Sequence, residues 1–114
     1  PLFAGIASAP LPDDGPARAL HLTAVLRELR GSVHLMAIAA TDLDNAVAHA
    51  IRRPDDVESF GYQTPPPISD DDRAKLKQAD ELTDRLMTGP YSVLDSGGSK
   101  AMVEGIEAMN NALF

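Results

Sequence analysis

The sequence predicts an all-α domain, and three observations carry that prediction. Apolar residues recur at three-to-four spacing, as at Leu22, Leu26, Leu29 and Val33, the period that places one stripe on a helix face. No stretch alternates polar and apolar residues over five positions with β-branched or aromatic content, and no Asn-Gly or Asp-Gly pair lies between such runs, so a hairpin has no signal. Prolines, glycines and capping residues divide the periodic segments at helical lengths. The expected architecture is an irregular bundle of five or six helices without an internal repeat.

Taken in order, residues 1–10 read as a short helix or apolar arm, with Leu2, Phe3 and Ile6 on one side. Pro10, Pro12 and Pro16 make a stiff connection. Central helices fill 16–53. The first starts near Pro16, because a proline in the first turn lacks only a donor that would be unpaired anyway. Gly31-Ser32 is expected to break it, since glycine costs about 1 kcal/mol in a helix interior and serine favours caps. A second helix, Val33 to Ala40, has almost no polar face and is expected to be buried. Thr41 or Asp42 then caps a third helix ending near Arg53, where Pro54 forbids continuation.

Residues 54–67 form an acid- and proline-rich connection, with Gly61 and three prolines at 65–67. Polyproline II is its expected local form, and Phe60 and Tyr62 are its expected anchors to the core. Helices return over 68–114. Ser69 with Asp72 three residues on resembles a capping box, and Ile68, Leu76, Ala79, Leu82 and Leu86 form an inward row to about Met87. Gly89-Pro90 is the expected stop. The last helix, from about Ser99, carries Met102, Val103, Ile106, Met109 and Leu113 as its stripe.

The chain has 114 residues, the size of one ordinary domain. Its net charge of −7 belongs entirely to the second half: residues 1–53 hold five acids and five bases, residues 54–114 twelve acids and five bases. Such a balance opposes phosphate neutralisation, so nucleic acid is not an expected partner. A small basic patch from Arg27, Arg30, Arg52 and Arg53 is the one arrangement that would permit it. Without cysteine there are no disulfides, zinc-thiolate sites or thiol nucleophiles, which fits a reducing cytoplasm. No apolar run approaches the length of a membrane span. Pro1 in place of methionine leads us to expect a fragment of a longer chain.

Catalytic motifs are lacking. The histidines, His21, His34 and His49, stand 13 and 15 residues apart, too far for two ligands on one helical turn. A metal site is therefore not expected. No phosphate-cradling or nucleophile-elbow motif is present, acid pairs sit at helix starts where capping explains them, and no cofactor is called for. One constellation stands out. Arg27, Arg30 and His34 fall on neighbouring helical positions, and His21 and Glu28, seven apart, share a side. Charged groups beside an apolar segment need partners, so His21, Arg27, Glu28, Arg30 and His34 form either a structural network or a pocket for an anionic ligand.

These residues also carry a family resemblance. Leu20-His21, LRELRG at 26–31, and His34 with the alanine-rich stretch after it resemble the L-W-H-A-A-T-x-L-R-E-H-R-G-D-G-H signature of the actinobacterial SalK-like helix-turn-helix family. His21, Arg27, Glu28, Arg30, Gly31 and His34 match, while Leu20, Leu29 and Ser32 replace its Trp, His and Asp. Downstream, Arg73, Thr83, Asp84 and Pro90 resemble a second, less specific segment. The resemblance implies a degenerate winged-helix-like fold related to MarR-type proteins, and a parent about twice this length. Where the family has a further helix and a wing, only QTPPP remains here, so the recognition helix and wing are expected to be missing.

The leading expectation is a non-catalytic helical accessory domain that binds a protein partner or a copy of itself. The alternatives are a regulator-like protein touching DNA through Arg27, Arg30, Arg52 and Arg53, and a small-molecule or enzymatic pocket around His21, Arg27, Arg30 and His34.

Overall fold

The computed structural model describes residues 4–62, 64 and 66–113. Leu2, Phe3, Pro65 and the side chain of Leu113, singled out above, lie outside the described residues. Among those residues the fold is all-helical: α1 (Ala4–Ala7), α2 (Gly15–Ala40), α3 (Asn45–Arg52), two 3-10 turns (Pro54–Asp56 and Glu58–Phe60), α4 (Asp70–Tyr91) and α5 (Ser96–Leu113). There is no strand among them.

Helix α2 corrects the expected break. It runs unbroken for 26 residues through Gly31 and Ser32. Ser32 does not cap a new helix; its hydroxyl donates back to the Glu28 carbonyl at 2.9 Å, a bond compatible with a continuing helix. Each further residue adds one backbone hydrogen bond, and that gain outweighs the cost of a single glycine. Asp14 caps the start, accepting from the Ala17 N–H at 2.9 Å, with Pro16 in the first turn as expected. A Cβ at Gly31 would meet nothing within 4 Å. Gly31→Ala should therefore stabilise the fold by about 0.5–1 kcal/mol, read as a higher urea midpoint at unchanged slope. A loss would mean that the glycine is needed for a bend.

A four-residue turn, Thr41 to Asp44, joins α2 to α3. Asp42 occupies the left-handed region at φ 53°, which short polar side chains tolerate. Leu43 plugs the turn into the core at 6% exposure. The cap of α3 is Asp44, rather than Thr41 or Asp42, accepting from the Ala46 and Val47 N–H groups at 2.8 and 3.3 Å. Further on, Ser69 and Asp72 exchange hydrogen bonds in a full capping box at the start of α4. Those bonds from the Ser69 side chain and backbone hold the Asp72 carboxyl below its ordinary range.

Helix α4 ends at Tyr91, past the expected stop at Gly89-Pro90. In the last turn Pro90 removes only one ladder bond, and the Ser92 N–H and hydroxyl both reach the Gly89 carbonyl. Helix α5 begins at Ser96, where the Asp95 carboxylate accepts from the Gly98 N–H at 2.7 Å. Gly97-Gly98 thus lies inside its first turn.

The core is small. Ala37, Ile38, Leu43, Ala48, Leu76 and Ala79 are buried together, flanked by half-buried Val47, Ile51 and Leu82. The α2–α4 interface dominates the packing, and alanines at its centre let the two axes approach closely. Only one side of the Val33–Ala40 segment is covered. Ala37 and Ile38 are buried, but Leu35 and Met36 are 49% and 60% exposed, which corrects the expectation of a fully buried helix. Helix α5 lies largely open, its expected inward residues Val103 and Ile106 being 56% and 40% exposed. Among the described residues no helix is long and apolar enough to cross a membrane.

Candidate functional site

Where α2, α3 and α4 meet, a polar ladder crosses the interface. Asp80, Thr83 and Asp84 lie on one face of α4 at i, i+3 and i+4, opposite Arg30 and His34 of α2, one turn apart. Arg30 stands 3.7 Å from the Asp84 carboxylate. Arg52, in the last turn of α3, is hydrogen-bonded to Asp80. Between these pairs His34 Nδ1 lies 3.0 Å from the Thr83 hydroxyl and 3.9 Å from Asp80.

The proton positions follow from the donor count. Thr83 is fully buried, and its hydroxyl donates to the Ala79 carbonyl at 2.7 Å. With its only proton committed, Thr83 can only accept from His34. Neutral His34 therefore carries its hydrogen on Nδ1. Burial pushes the His34 pKa below the ordinary 6.5; Asp80 and Asp84 pull it up, while Arg30 and Arg52 reinforce the lowering.

Beside the ladder is a cavity of about 230 Å³ lined by His34, Asn45, His49, Arg52, Arg53 and Leu76, among others. Phe60 and Tyr62 close on His49, with ring centroids at 4.1 and 6.4 Å. These two aromatics do anchor the connection, although Phe60 remains 58% exposed. His49 Nε2 is buried without a hydrogen-bond partner.

The constellation read from the sequence is only partly assembled. Arg30 and His34 share the ladder. Arg27 is 83% exposed and 3.5 Å from its neighbour Glu28. His21 stands apart: with α2 unbroken, thirteen residues separate it from His34, about 20 Å at about 1.5 Å per residue. His21 and His34 thus do not share a pocket. Among the described residues no three His, Cys, Asp or Glu side chains are placed to hold a metal ion. Thr83 and Asp84 entered the sequence reading only through the family resemblance and Asp80 not at all, although the spacing of Asp80, Thr83 and Asp84 marks a polar helix face.

All four arginines of the candidate basic patch lie within 4 Å of a carboxylate: Arg27 by Glu28, Arg30 by Asp84, Arg52 by Asp80, and Arg53 by Asp56 at 3.8 Å. Their field is locally offset.

No curated protein and no solved structure matches the chain. The profile of a helix-turn-helix family matches residues 1–66, the span that holds α1, α2, the Thr41–Asp44 turn and α3. More than half of the sequence is covered, and the helix, four-residue turn and helix it encompasses have the layout expected of the motif: the chain belongs to this helix-turn-helix family.

Proposed function

We propose that this chain is a non-catalytic interaction domain within its helix-turn-helix family, one that completes its fold against a protein partner, with a second copy of itself as the first candidate. The surface carries this reading. A compact 12.1 kDa monomer exposes about 6,000 Å², whereas this chain exposes 8086 Å². Its radius of gyration is 16.9 Å, against about 13 Å for a compact domain of this length. The difference in area, about 2,000 Å², is of the order that one partner contributes to a large, obligate interface. Large apolar side chains lie on that surface: Leu20, Leu35, Met36, Leu86 and Val93 are all about half exposed or more. The polar ladder then serves as a clamp that fixes α2, α3 and α4 while their outer faces await a partner.

Sedimentation velocity across a wide concentration series tests this. Reversible association is expected, weakened by Val103→Glu on the open face of α5. A strict monomer at every concentration that also binds no hydrophobic dye would overturn the proposal.

Family membership supports a second reading, contact with DNA. Groove-reading helices present their N-terminal residues to the bases, and here Asp42 and Asp44 flank the start of α3, where they would face phosphates. That arrangement, with the paired arginines, favours the protein partner. Binding to random duplex at low salt, lost steeply as salt rises, would reverse the order.

A further inference from the structure

The strongest unassigned feature is a trough between the first half of α2 and α5. A cavity of about 580 Å³ is lined there by Leu22, Leu26, Met102, Ile106 and Met109, with Ala19, Gly105, Ala108 and Ala112 as its small residues. Its walls present almost no polar atoms. Thr23, Leu26, Met102 and Ile106 also line a second cavity of about 180 Å³, whose remaining walls are Arg27, Arg30 and Tyr91. A third, lined by Arg30, Asp84, Tyr91 and Ser92 among others, continues toward the end of α4. The result is one groove, apolar along its length, with Arg27 and Arg30 and their surface partners Glu28 and Asp84 at one end.

We infer that this groove binds a medium-chain fatty acid, its alkyl chain between α2 and α5 and its carboxylate at Arg27 and Arg30, where Tyr91 also lines the wall. Size and charge select this occupant. The volume lies in the range of small-ligand pockets, about 300–1,000 Å³. The methionines are conformable and suit a flexible chain. A carboxylate is the natural ligand of a guanidinium. The two arginines are held by little else: Arg27 has Glu28 at 3.5 Å and Arg30 has Asp84 at 3.7 Å, all four side chains being at least 42% exposed. Such surface pairs are weak and exchange readily.

The inference is independent of the protein partner proposed above, and it is tested on delipidated full chain by calorimetric titration with octanoate, decanoate and dodecanoate below their micelle concentrations. One acid per chain is expected, tightening about fourfold per added methylene until the trough is full. Dodecanol should bind at least tenfold more weakly than dodecanoate. An Arg27→Gln, Arg30→Gln double variant should lose that preference while keeping the alcohol affinity. A Cβ at Gly105 meets nothing within 4 Å, so Gly105→Phe should be accommodated, fill the trough and weaken acid and alcohol alike. Equal affinity for acid and alcohol, unsaturable binding, or an unchanged arginine variant would each overturn the inference. None of these outcomes bears on the association measured by sedimentation.

Discussion

Leu76→Ala is expected to lower the unfolding free energy by about 3 kcal/mol, the largest loss for any single apolar truncation in this chain. Leu76 is 5% exposed and sits in a core otherwise built largely from alanines and two other large residues, Ile38 and Leu43. Few atoms surround the vacated space that can collapse into it, since Ala37, Ala48 and Ala79 have no side-chain freedom to use. A domain of this size has about 5–15 kcal/mol in total, so the loss is a large fraction of the whole. Urea denaturation followed by far-ultraviolet circular dichroism would read it as a lower midpoint.

Leu86→Ala is the informative companion. Leu86 belongs to the same helix and the same sequence stripe, yet it is 51% exposed. Its truncation should cost well under 1 kcal/mol in the monomer. If the cost approaches that of Leu76→Ala, the outer face of α4 is covered in solution, and the interaction domain already has its partner.

The contrast between these two leucines also marks how far the sequence could be read. Periodicity located the helices and the all-α class, because a stripe at three-to-four spacing is a property of the helix alone. It could not say which stripe is covered. Leu76 and Leu86, or Ile38 and Met36, look alike in sequence, and the difference between them depends on a neighbour that periodicity does not specify. Glycine and proline look like breakers in sequence for a related reason. Gly31 and Pro90 each remove about one increment of helix stability, which the cooperativity of a long helix absorbs. Within the candidate site, Arg30 and His34 were legible as charged groups beside an apolar segment. Their pairing with Asp80, Thr83 and Asp84 was not, since a contact across 49 residues such as that between His34 and Thr83 is a tertiary fact.

That pairing yields the second large effect. Thr83→Val keeps the shape of a fully buried side chain and removes the one acceptor, among the described residues, within hydrogen-bond distance of His34 Nδ1. The Ala79 carbonyl loses little, because it keeps its helical bond. The Nδ1–H is left with Asp80 at 3.9 Å, too far for a hydrogen bond. The expected cost is about 1–3 kcal/mol.

The same histidine sets a pH dependence with a definite sign. Burial lowers its pKa in the folded chain below the ordinary 6.5, so the folded state prefers neutral His34. Above about pH 6.5 neither state binds the proton and the contribution of neutral His34 is complete. As the pH falls below that value the unfolded chain takes up a proton that the folded chain resists, and stability declines through the window between the two pKa values. His34→Asn removes this titration. Its destabilisation should be larger at about pH 7.5 than at about pH 5.5, on either side of the ordinary histidine value. Arg52→Gln acts oppositely. It removes one of the two cations that lower the pKa and frees Asp80 to attract the imidazolium, so the His34 resonances should titrate at higher pH in a nuclear magnetic resonance series. An unchanged His34 titration in Arg52→Gln, together with a wild-type stability that does not fall with pH, would show that the ladder does not form as a unit. The clamp that holds α2, α3 and α4 would then have to come from the alanine-rich core alone.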